Sequence, residues 1–179
     1  RGLGDVYKRQ IPIGLKDLIN VSGYKTTGGS RFLQHNFSNT NATVSDRLRN
    51  AGAILIGKHN MVELAFGSTG LNNFTGHPRN PWDMERITGG SSSGSGAAIA
   101  SGLAYGALGS DTGGSVRMPA SLCGIAGLKP TYGLIPRTGI LDLSHSMDHL
   151  GPMARRSIDC GYILNAVKGY DRKDKTSIK

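Results

Sequence analysis

Two segments rich in glycine and serine, residues 89–96 and 109–115, are the parts of this 179-residue chain best suited to chemistry. A chain concentrates glycine where its backbone approaches another group closely or adopts positive φ. Where a strand leads through a loop into a helix, unpaired backbone N–H groups can hold an anion, including the oxyanion formed when a hydroxyl attacks a carbonyl. Both segments therefore indicate candidate sites for chemistry.

Ser115 is one candidate nucleophile. It follows two glycines and opens a predicted helix over residues 116–122, so unpaired N–H groups would surround its hydroxyl as an oxyanion requires. These groups belong to Thr112, Gly113, Gly114 and Ser115 itself. The residues alone leave a second interpretation open, in which Ser115 is an ordinary helix N-cap.

A competing motif is G-x-S-x-G at residues 90–94, which would make Ser92 the nucleophile and His145 or His149 its base. That motif requires a strand running directly into it, and residues 83–88 are charged and turn-like. The pattern therefore argues against Ser92.

Three further motifs are weaker. Residues 111–113 match the Asp-Thr-Gly triplet of aspartic proteases, but those enzymes are all-β and this chain predicts helices as well. Ser22 and Lys25 match a bare S-x-x-K without its partner motifs. Neither glycine-rich segment ends in G-K-[ST], which excludes a Walker phosphate loop.

The elements that position these residues begin with a short apolar strand at residues 11–15, whose proline suits a place at or near a sheet edge. Asn41 is predicted to cap a helix over residues 42–51. Residues 53–57 then predict a buried strand. Because helix and strand alternate, the fold class is α/β with a largely parallel sheet.

The second half of the chain continues this pattern. A short helix is predicted over residues 61–66, and residues 67–90 form a long loop. Residues 97–107 predict a helix followed by a buried strand, and the final helix covers residues 157–168 and ends at Gly169.

Lys16 lies directly after the first predicted strand. A lysine at the end of a buried strand is unusual. From the residues alone, the favoured interpretation is a side chain that extends to solvent.

Composition narrows the class of protein. The net charge of +9 permits a nucleic-acid partner, but the basic residues are scattered and favour a solvated surface. Cys123 and Cys160 have no metal-ligand spacing, which predicts a cytoplasmic, disulfide-free protein without a metal. No apolar run approaches the roughly 20 residues of a membrane span.

Residues 1–10 differ from the rest of the chain. Residues 5–10 resemble the translation of a sequencing-library adapter, so we hypothesise a non-native segment and begin the native domain at residue 11.

Residues 89–131 resemble the signature segment of the amidase signature family, and residues 11–17 resemble that family's upstream lysine motif. The resemblance also includes residues 80–83 and 146–155, and extends from residue 11 to about residue 177. It implies a partial amidase-signature domain over residues 11–179, with a mixed, largely parallel sheet flanked by helices. It also implies that the N- and C-terminal parts of the family's domain lie outside this sequence.

The resemblance also implies a mechanism. Ser115 matches the family's nucleophile, Ser91 the bridging serine after a cis peptide bond, and Lys16 the general base. It implies hydrolysis of a small-molecule amide through an acyl-serine intermediate, with no cofactor and no metal. A buried, neutral lysine suits this role, because burial disfavours the ammonium form.

Three functions follow from the resemblance. A hydrolytic amidase is favoured. The alternative is the glutamine-hydrolysing A subunit of the tRNA-dependent amidotransferase, which would bring partner subunits and tRNA. The chain departs from the usual sequence of that subunit at Leu134, Pro136, Thr138 and His149. A binding-only relative is disfavoured because all three catalytic positions are filled.

Overall fold

A five-stranded mixed sheet organises residues 11–179, the part of the chain that the computed structural model describes. The hypothesis of a non-native segment concerns residues 1–10, which lie outside the described residues. The strands are β1 (Ile11–Lys16), β2 (Ala53–His59), β3 (Gly106–Asp111), β4 (Ala126–Gly127) and β5 (His149–Ala154), in the spatial order β2-β1-β3-β5-β4.

Strand β1 runs parallel to β2 and β3, whereas β5 runs antiparallel to β3 and β4. The predicted mixed sheet flanked by helices is therefore confirmed, with parallel pairing confined to the half of the sheet that contains β1. Because β1 and β3 are parallel neighbours, their carboxyl ends lie at the same edge of the sheet.

The described helices are α1 (Thr43–Asn50), α2 (Ser93–Ala100), α3 (Arg117–Leu122) and α4 (Ser157–Val167), with 3₁₀ turns at Arg31–Leu33 and Glu63–Ala65. They cover both faces of the sheet. Leu108 of β3 packs in one apolar cluster with residues of α1 and α4, whereas its neighbour Ala107 packs in a second cluster with residues of α2 and α3. Since successive side chains of a strand point to opposite faces, the sheet lies between two helical layers.

Strand β2 is more exposed than the sequence predicts. Strand β2 forms the edge of the sheet, and Ile54 and Ile56 are 44% and 46% exposed, so the predicted buried strand is wrong in its burial. Strand β1 lies one place in from this edge and pairs on both sides. Pro12 is tolerated there because the pairing with β3 begins only at Ile13.

The predicted N-cap of α1 is also wrong. The helix begins after Ala42, and the Asn41 side chain instead accepts a hydrogen bond from the Ser22 N–H at 2.7 Å and donates one to Asp46 at 2.7 Å. Its side chain is used to hold a neighbouring loop. The predicted end of the helix agrees with the structure, because Gly52 adopts a φ of +93° directly after the Ala51 cap.

Three other segments test the sequence predictions. The helix predicted over residues 61–66 is only the 3₁₀ turn Glu63–Ala65. Helix α2 begins at Ser93, four residues before the segment 97–107 in which a helix was predicted. Strand β3 is buried along its whole length but covers Gly106–Asp111, so it begins where the strand predicted within residues 97–107 was expected to end. Helix α4 ends before Gly169, as predicted.

The two cysteines are free and buried. Burial raises the pKa of both the Cys123 and Cys160 thiols to about 11. In residues 11–179, every helix is too short or too polar to cross a bilayer.

Gly94 in the first turn of α2 is required by a close backbone approach. Its N–H donates to the Asn60 carbonyl at 2.9 Å, and a Cβ at this position would lie 2.6 Å from the Asn60 nitrogen. We expect Gly94→Ala to lower the free energy of unfolding by about 1–3 kcal/mol, because α2 must move away from the backbone that follows β2. Urea unfolding of the protein made from the complete gene measures this.

Gly161 in α4 is the matched control. A Cβ there would meet no atom within 4 Å. Gly161→Ala should therefore stabilise the protein by about 0.4–1 kcal/mol, since alanine loses less backbone entropy on folding. Equal effects at the two glycines would contradict the assignment of Gly94 to a close contact.

Candidate active site

The candidate site lies where β1 and β3 end. Lys16, the last residue of β1, is completely buried, and its Nζ lies 2.6 Å from Ser91 Oγ and 2.8 Å from Ser110 Oγ. The interpretation of Lys16 as a solvent-reaching side chain is therefore wrong. The structure brings Lys16 and Ser91, two of the predicted catalytic residues, into hydrogen-bond contact.

The surroundings of Lys16 disfavour its charged form. Burial lowers the pKa of the Lys16 ammonium from 10.5 to about 7, although the nearby carboxylates of Asp111 and Asp148 act in the opposite direction. A substantial fraction of this side chain is therefore a neutral amine near pH 7. A neutral amine can accept a proton, which an ammonium cannot.

The segment that carries Ser91 is fixed by backbone contacts. The Gly90–Ser91 peptide bond is cis, and the Ser91 carbonyl accepts a hydrogen bond from the Val62 N–H at 3.1 Å. The Ser92 N–H donates to the Ser115 carbonyl at 3.1 Å, which joins the two glycine-serine segments.

Ser92 itself has a structural environment. Its hydroxyl is fully buried, donates to the Ser110 carbonyl at 3.2 Å and accepts from the Ser110 N–H at 3.3 Å. Residues 83–88, which precede the segment, form no strand. Both observations agree with the sequence argument against the nucleophile elbow.

Asp111 organises the loop that carries Ser115. Its buried carboxylate accepts hydrogen bonds from the Gly114 N–H at 2.8 Å and the Val116 N–H at 3.1 Å. The Arg117 guanidinium binds both carboxylate oxygens, at 2.9 and 3.0 Å. Burial alone would raise the pKa of this carboxyl, but the hydrogen bonds from Arg117 and the backbone outweigh it and lower the pKa.

The predicted oxyanion donors differ in availability. The Gly114 N–H is already used by Asp111, whereas the N–H groups of Thr112, Gly113 and Ser115 have no hydrogen-bond partner within residues 11–179. The Ser115 hydroxyl likewise has no partner in that part of the chain, and the residue is 6% exposed. The loop therefore leaves three donors beside an unengaged hydroxyl. The catalytic roles of Lys16, Ser91 and Ser115 stay predictions.

Sequence reasoning missed two residues of this site. One is Ser110, whose hydroxyl contacts Lys16 directly. The other is Asp148, which is buried and accepts hydrogen bonds from the Thr112 hydroxyl at 2.5 Å and from the Leu143 N–H at 2.7 Å. The signal for Ser110 was its place directly before Asp111 at the end of a buried strand. Asp148 lies in an irregular segment, and its one signal was that residues 146–155 belong to the family resemblance.

The remaining motifs supply no nucleophile or base to this cluster. Asp111 serves as a loop anchor, and the Ser22 hydroxyl donates to the Asn39 carbonyl at 3.2 Å. The Nδ1 atom of His149 lies 2.6 Å from the Met147 carbonyl oxygen. Among the described residues, histidine, cysteine, aspartate and glutamate side chains form no group of three or more that could hold a metal ion.

Asp111→Asn tests the loop anchor. We expect the free energy of unfolding at pH 7 to fall by about 2–3 kcal/mol, because an amide oxygen cannot replace a carboxylate that accepts from Arg117 and the backbone. Since the folded pKa of Asp111 is lowered, its stabilisation is present above the ordinary value of 3.8 and is lost as the pH falls through the folded pKa. Urea unfolding between pH 7 and pH 3 should show the difference shrinking.

Asp83→Asn is the matched control, because Asp83 is 50% exposed and its ion-pair partner Arg86, at 3.3 Å, is 78% exposed. Its effect should stay within about 0.5 kcal/mol. A pH-independent loss in Asp111→Asn would contradict the anchoring role of the carboxylate charge.

The chain belongs to the amidase family, because the family model described as Amidase matches residues 10–179. The chain is 52% identical over 168 residues to the A subunit of the glutamyl-tRNA(Gln) amidotransferase of Coxiella burnetii (strain RSA 493 / Nine Mile phase I), a match that covers 94% of this chain and 35% of the relative.

Two solved structures are similar in fold. The A subunit of the glutamyl-tRNA(Gln) amidotransferase of Thermotoga maritima superposes with a TM-score of 0.91 at 44% identity, over 94% of this chain and 37% of that one. The native peptide amidase of Stenotrophomonas maltophilia gives a TM-score of 0.91 at 42% identity, over 95% and 36% respectively. The chain thus spans about a third of the length of the relatives it matches.

Proposed function

We propose that this chain carries the catalytic residues of an enzyme that hydrolyses a carbon–nitrogen amide bond through an acyl-Ser115 intermediate. The observation that carries this proposal is the buried Lys16, whose pKa is lowered to about 7 and whose Nζ lies 2.6 Å from Ser91 Oγ. Membership of the amidase family supports the same reaction class. The activity is proposed for the complete protein, of which this chain is one part.

In the proposed mechanism, Ser91 transfers its hydroxyl proton to the neutral Lys16 amine and receives the proton of Ser115. The Ser115 oxygen forms a bond to the amide carbonyl carbon. The unpartnered N–H groups of Thr112, Gly113 and Ser115 stabilise the oxyanion of the tetrahedral intermediate.

The carbon–nitrogen bond then breaks, and the proton held on Lys16 returns through Ser91 to the leaving nitrogen. This step releases ammonia or an amine and leaves an ester on Ser115. A water molecule then attacks the ester carbon and gives a proton through Ser91 to the Lys16 amine. The bond between the acyl carbon and Ser115 Oγ breaks as this proton returns to Oγ, which releases the carboxylic acid and restores the serine hydroxyl. Protons and electrons balance without a cofactor.

The second candidate function is a glutamine-hydrolysing subunit of a tRNA-dependent amidotransferase. It is supported by the curated relatives from Coxiella burnetii and Acinetobacter baumannii, which are 52% and 48% identical to this chain and carry that subunit's name. Under this candidate, the protein would act together with partner subunits and tRNA.

Ammonia release separates the two candidates. The protein from the complete gene should be assayed with glutamine and with simple aliphatic and aryl amides, first by itself and then with amidotransferase partner subunits. Turnover of simple amides without partners supports the amidase. Turnover of glutamine that depends on partner subunits supports the second candidate, and release from no amide by a folded protein would overturn both.

A further inference from the structure

Lys16 contacts a second hydroxyl that the proposed proton relay does not use. The Nζ atom lies 2.8 Å from Ser110 Oγ, and Ser110 is 4% exposed. The neighbouring pairing of β1 with β3, in which Leu15 lies opposite Leu108, brings the last residues of both strands to the same edge of the sheet. The contact is therefore set by the sheet itself.

The Ser110 backbone is held on two sides. Ser110 pairs with Leu150 of β5, and both its N–H and its carbonyl bond to the Ser92 hydroxyl, at 3.3 and 3.2 Å. These contacts fix the Cα of Ser110, so its hydroxyl stays within reach of Lys16.

The two protonation states of Lys16 use these contacts differently. The ammonium form has three N–H donors and can donate to both serines. The neutral amine has two N–H groups and one lone pair. To accept a proton from Ser91, the lone pair must face Ser91, and this occurs when an N–H is donated elsewhere.

We propose that Ser110 is a positioning residue that accepts an N–H of the neutral Lys16 amine and thereby points its lone pair at Ser91. This inference rests on the proposed function of Lys16 as general base. Without the Ser110 acceptor, the amine has no fixed partner for its N–H groups and can donate one to Ser91, an orientation in which no proton can be accepted.

Other groups near Lys16 act on its charge. The carboxylates of Asp111 and Asp148 both raise the pKa of Lys16 against the effect of burial. Their charges favour the ammonium form, but neither carboxylate lies within hydrogen-bond distance of the Lys16 Nζ, whose side-chain partners are Ser91 and Ser110. Ser110 supplies a directed acceptor that these carboxylates do not replace.

The test is the pH profile of Ser110→Ala in the protein from the complete gene, assayed with the amide that it turns over best. We expect kcat to fall by roughly 10-fold to 100-fold with KM changed less than about 3-fold, because orientation of the base is lost. The hydroxyl also stabilises the ammonium form, so its removal lowers the pKa of Lys16. The acid limb of the kcat profile should move to lower pH by about 0.5–1 unit.

Ser45→Ala is the matched control. Ser45 is fully buried and donates to the Asn20 carbonyl at 2.8 Å, so this variant also loses one buried serine hydrogen bond without contact to Lys16. Its acid limb should not move. Ser110→Thr keeps the hydroxyl and should restore most of the kcat. If this variant does not fold, the position of the acid limb in the kcat profile of Ser110→Ala decides whether Ser110 has the proposed role.

A lower kcat with an unmoved acid limb, or no change in kcat, would overturn the role of Ser110. Parallel assays of Ser115→Ala separate this failure from a failure of the proposed function. If Ser115→Ala retains activity, the acyl-serine mechanism is wrong; if it is inactive while Ser110→Ala behaves as wild type, only the positioning role is wrong.

Discussion

Replacing Lys16 with methionine should abolish turnover and at the same time change how stability depends on pH. Methionine fills nearly the same volume but cannot accept a proton, so we expect kcat to fall by at least about 10³-fold. The measurement is the steady-state rate of ammonia or amine release, with folding verified by circular dichroism.

The stability effect follows from the depressed pKa. Between about pH 7 and pH 10.5 the unfolded state binds a proton on Lys16 that the folded state does not, so stability rises with pH across this window. Over the full window the change is on the order of 5 kcal/mol. Lys16→Met has no such group, and its stability should lack this rise.

At pH 7 the variant also leaves the Ser91 and Ser110 hydroxyls without their amine partner, at a cost of about 1–3 kcal/mol each. The slope of the free energy of unfolding with pH is therefore a cleaner readout than its value at one pH. Lys168→Met, which removes an exposed lysine, is the control and should keep the wild-type slope. An unchanged slope in Lys16→Met would mean that Lys16 is charged in the folded protein.

Ser115→Ala should remove the nucleophile and reduce kcat by at least about 10⁴-fold. Binding of the amide substrate should be little affected, because the loop keeps its shape in this variant. Asp111 holds the loop, and the Ser115 hydroxyl has no hydrogen-bond partner within residues 11–179. A fluorophosphonate reagent should form an adduct on Ser115 of the unsubstituted protein, located by peptide mass spectrometry. The same adduct should form far more slowly in Lys16→Met.

Ser121→Ala in α3 serves as the control, because Ser121 is exposed and near in sequence to Ser115. It should react with the reagent as the unsubstituted protein does. An adduct on Ser92 would contradict the assignment and return attention to the G-x-S-x-G motif, despite the burial of that hydroxyl.

Local patterns predicted the elements that depend on short-range physics. Helix α4 was predicted over residues 157–168 with Gly169 as its stop, and it covers Ser157–Val167. The small residues of 97–107 indicated a helix and a buried strand but did not locate the strand, which is Gly106–Asp111. The burial of β2 was not predictable in this way, since an apolar run does not reveal whether a neighbouring strand or helix covers it. Asn41 failed as an N-cap because Ser22 and Asp46 compete for its side chain.

The same distinction between short-range patterns and long-range contacts applies to the candidate site. The glycine density around Ser115 marked the loop, and the family resemblance singled out Lys16 where the residues alone favoured a surface position. The contact of Lys16 with Ser91 joins residues 75 positions apart, and that with Ser110 joins residues 94 positions apart. The Ser110 contact depends on the parallel pairing of β1 with β3, and the Ser91 contact depends on where the segment before α2 is held. No local pattern encodes either arrangement.

The reactivity of the two buried thiols reports on whether the protein keeps its folded conformation. With pKa values of about 11, Cys123 and Cys160 are almost entirely protonated near pH 8, and alkylating agents react with the thiolate. Cys123 also donates to the Thr88 carbonyl, and the neighbouring Trp82 indole donates to the Cys123 carbonyl at 2.7 Å. Alkylation therefore requires an opening of the packing around α3 or α4, and its rate would distinguish an inactive but intact variant from one that has lost its structure.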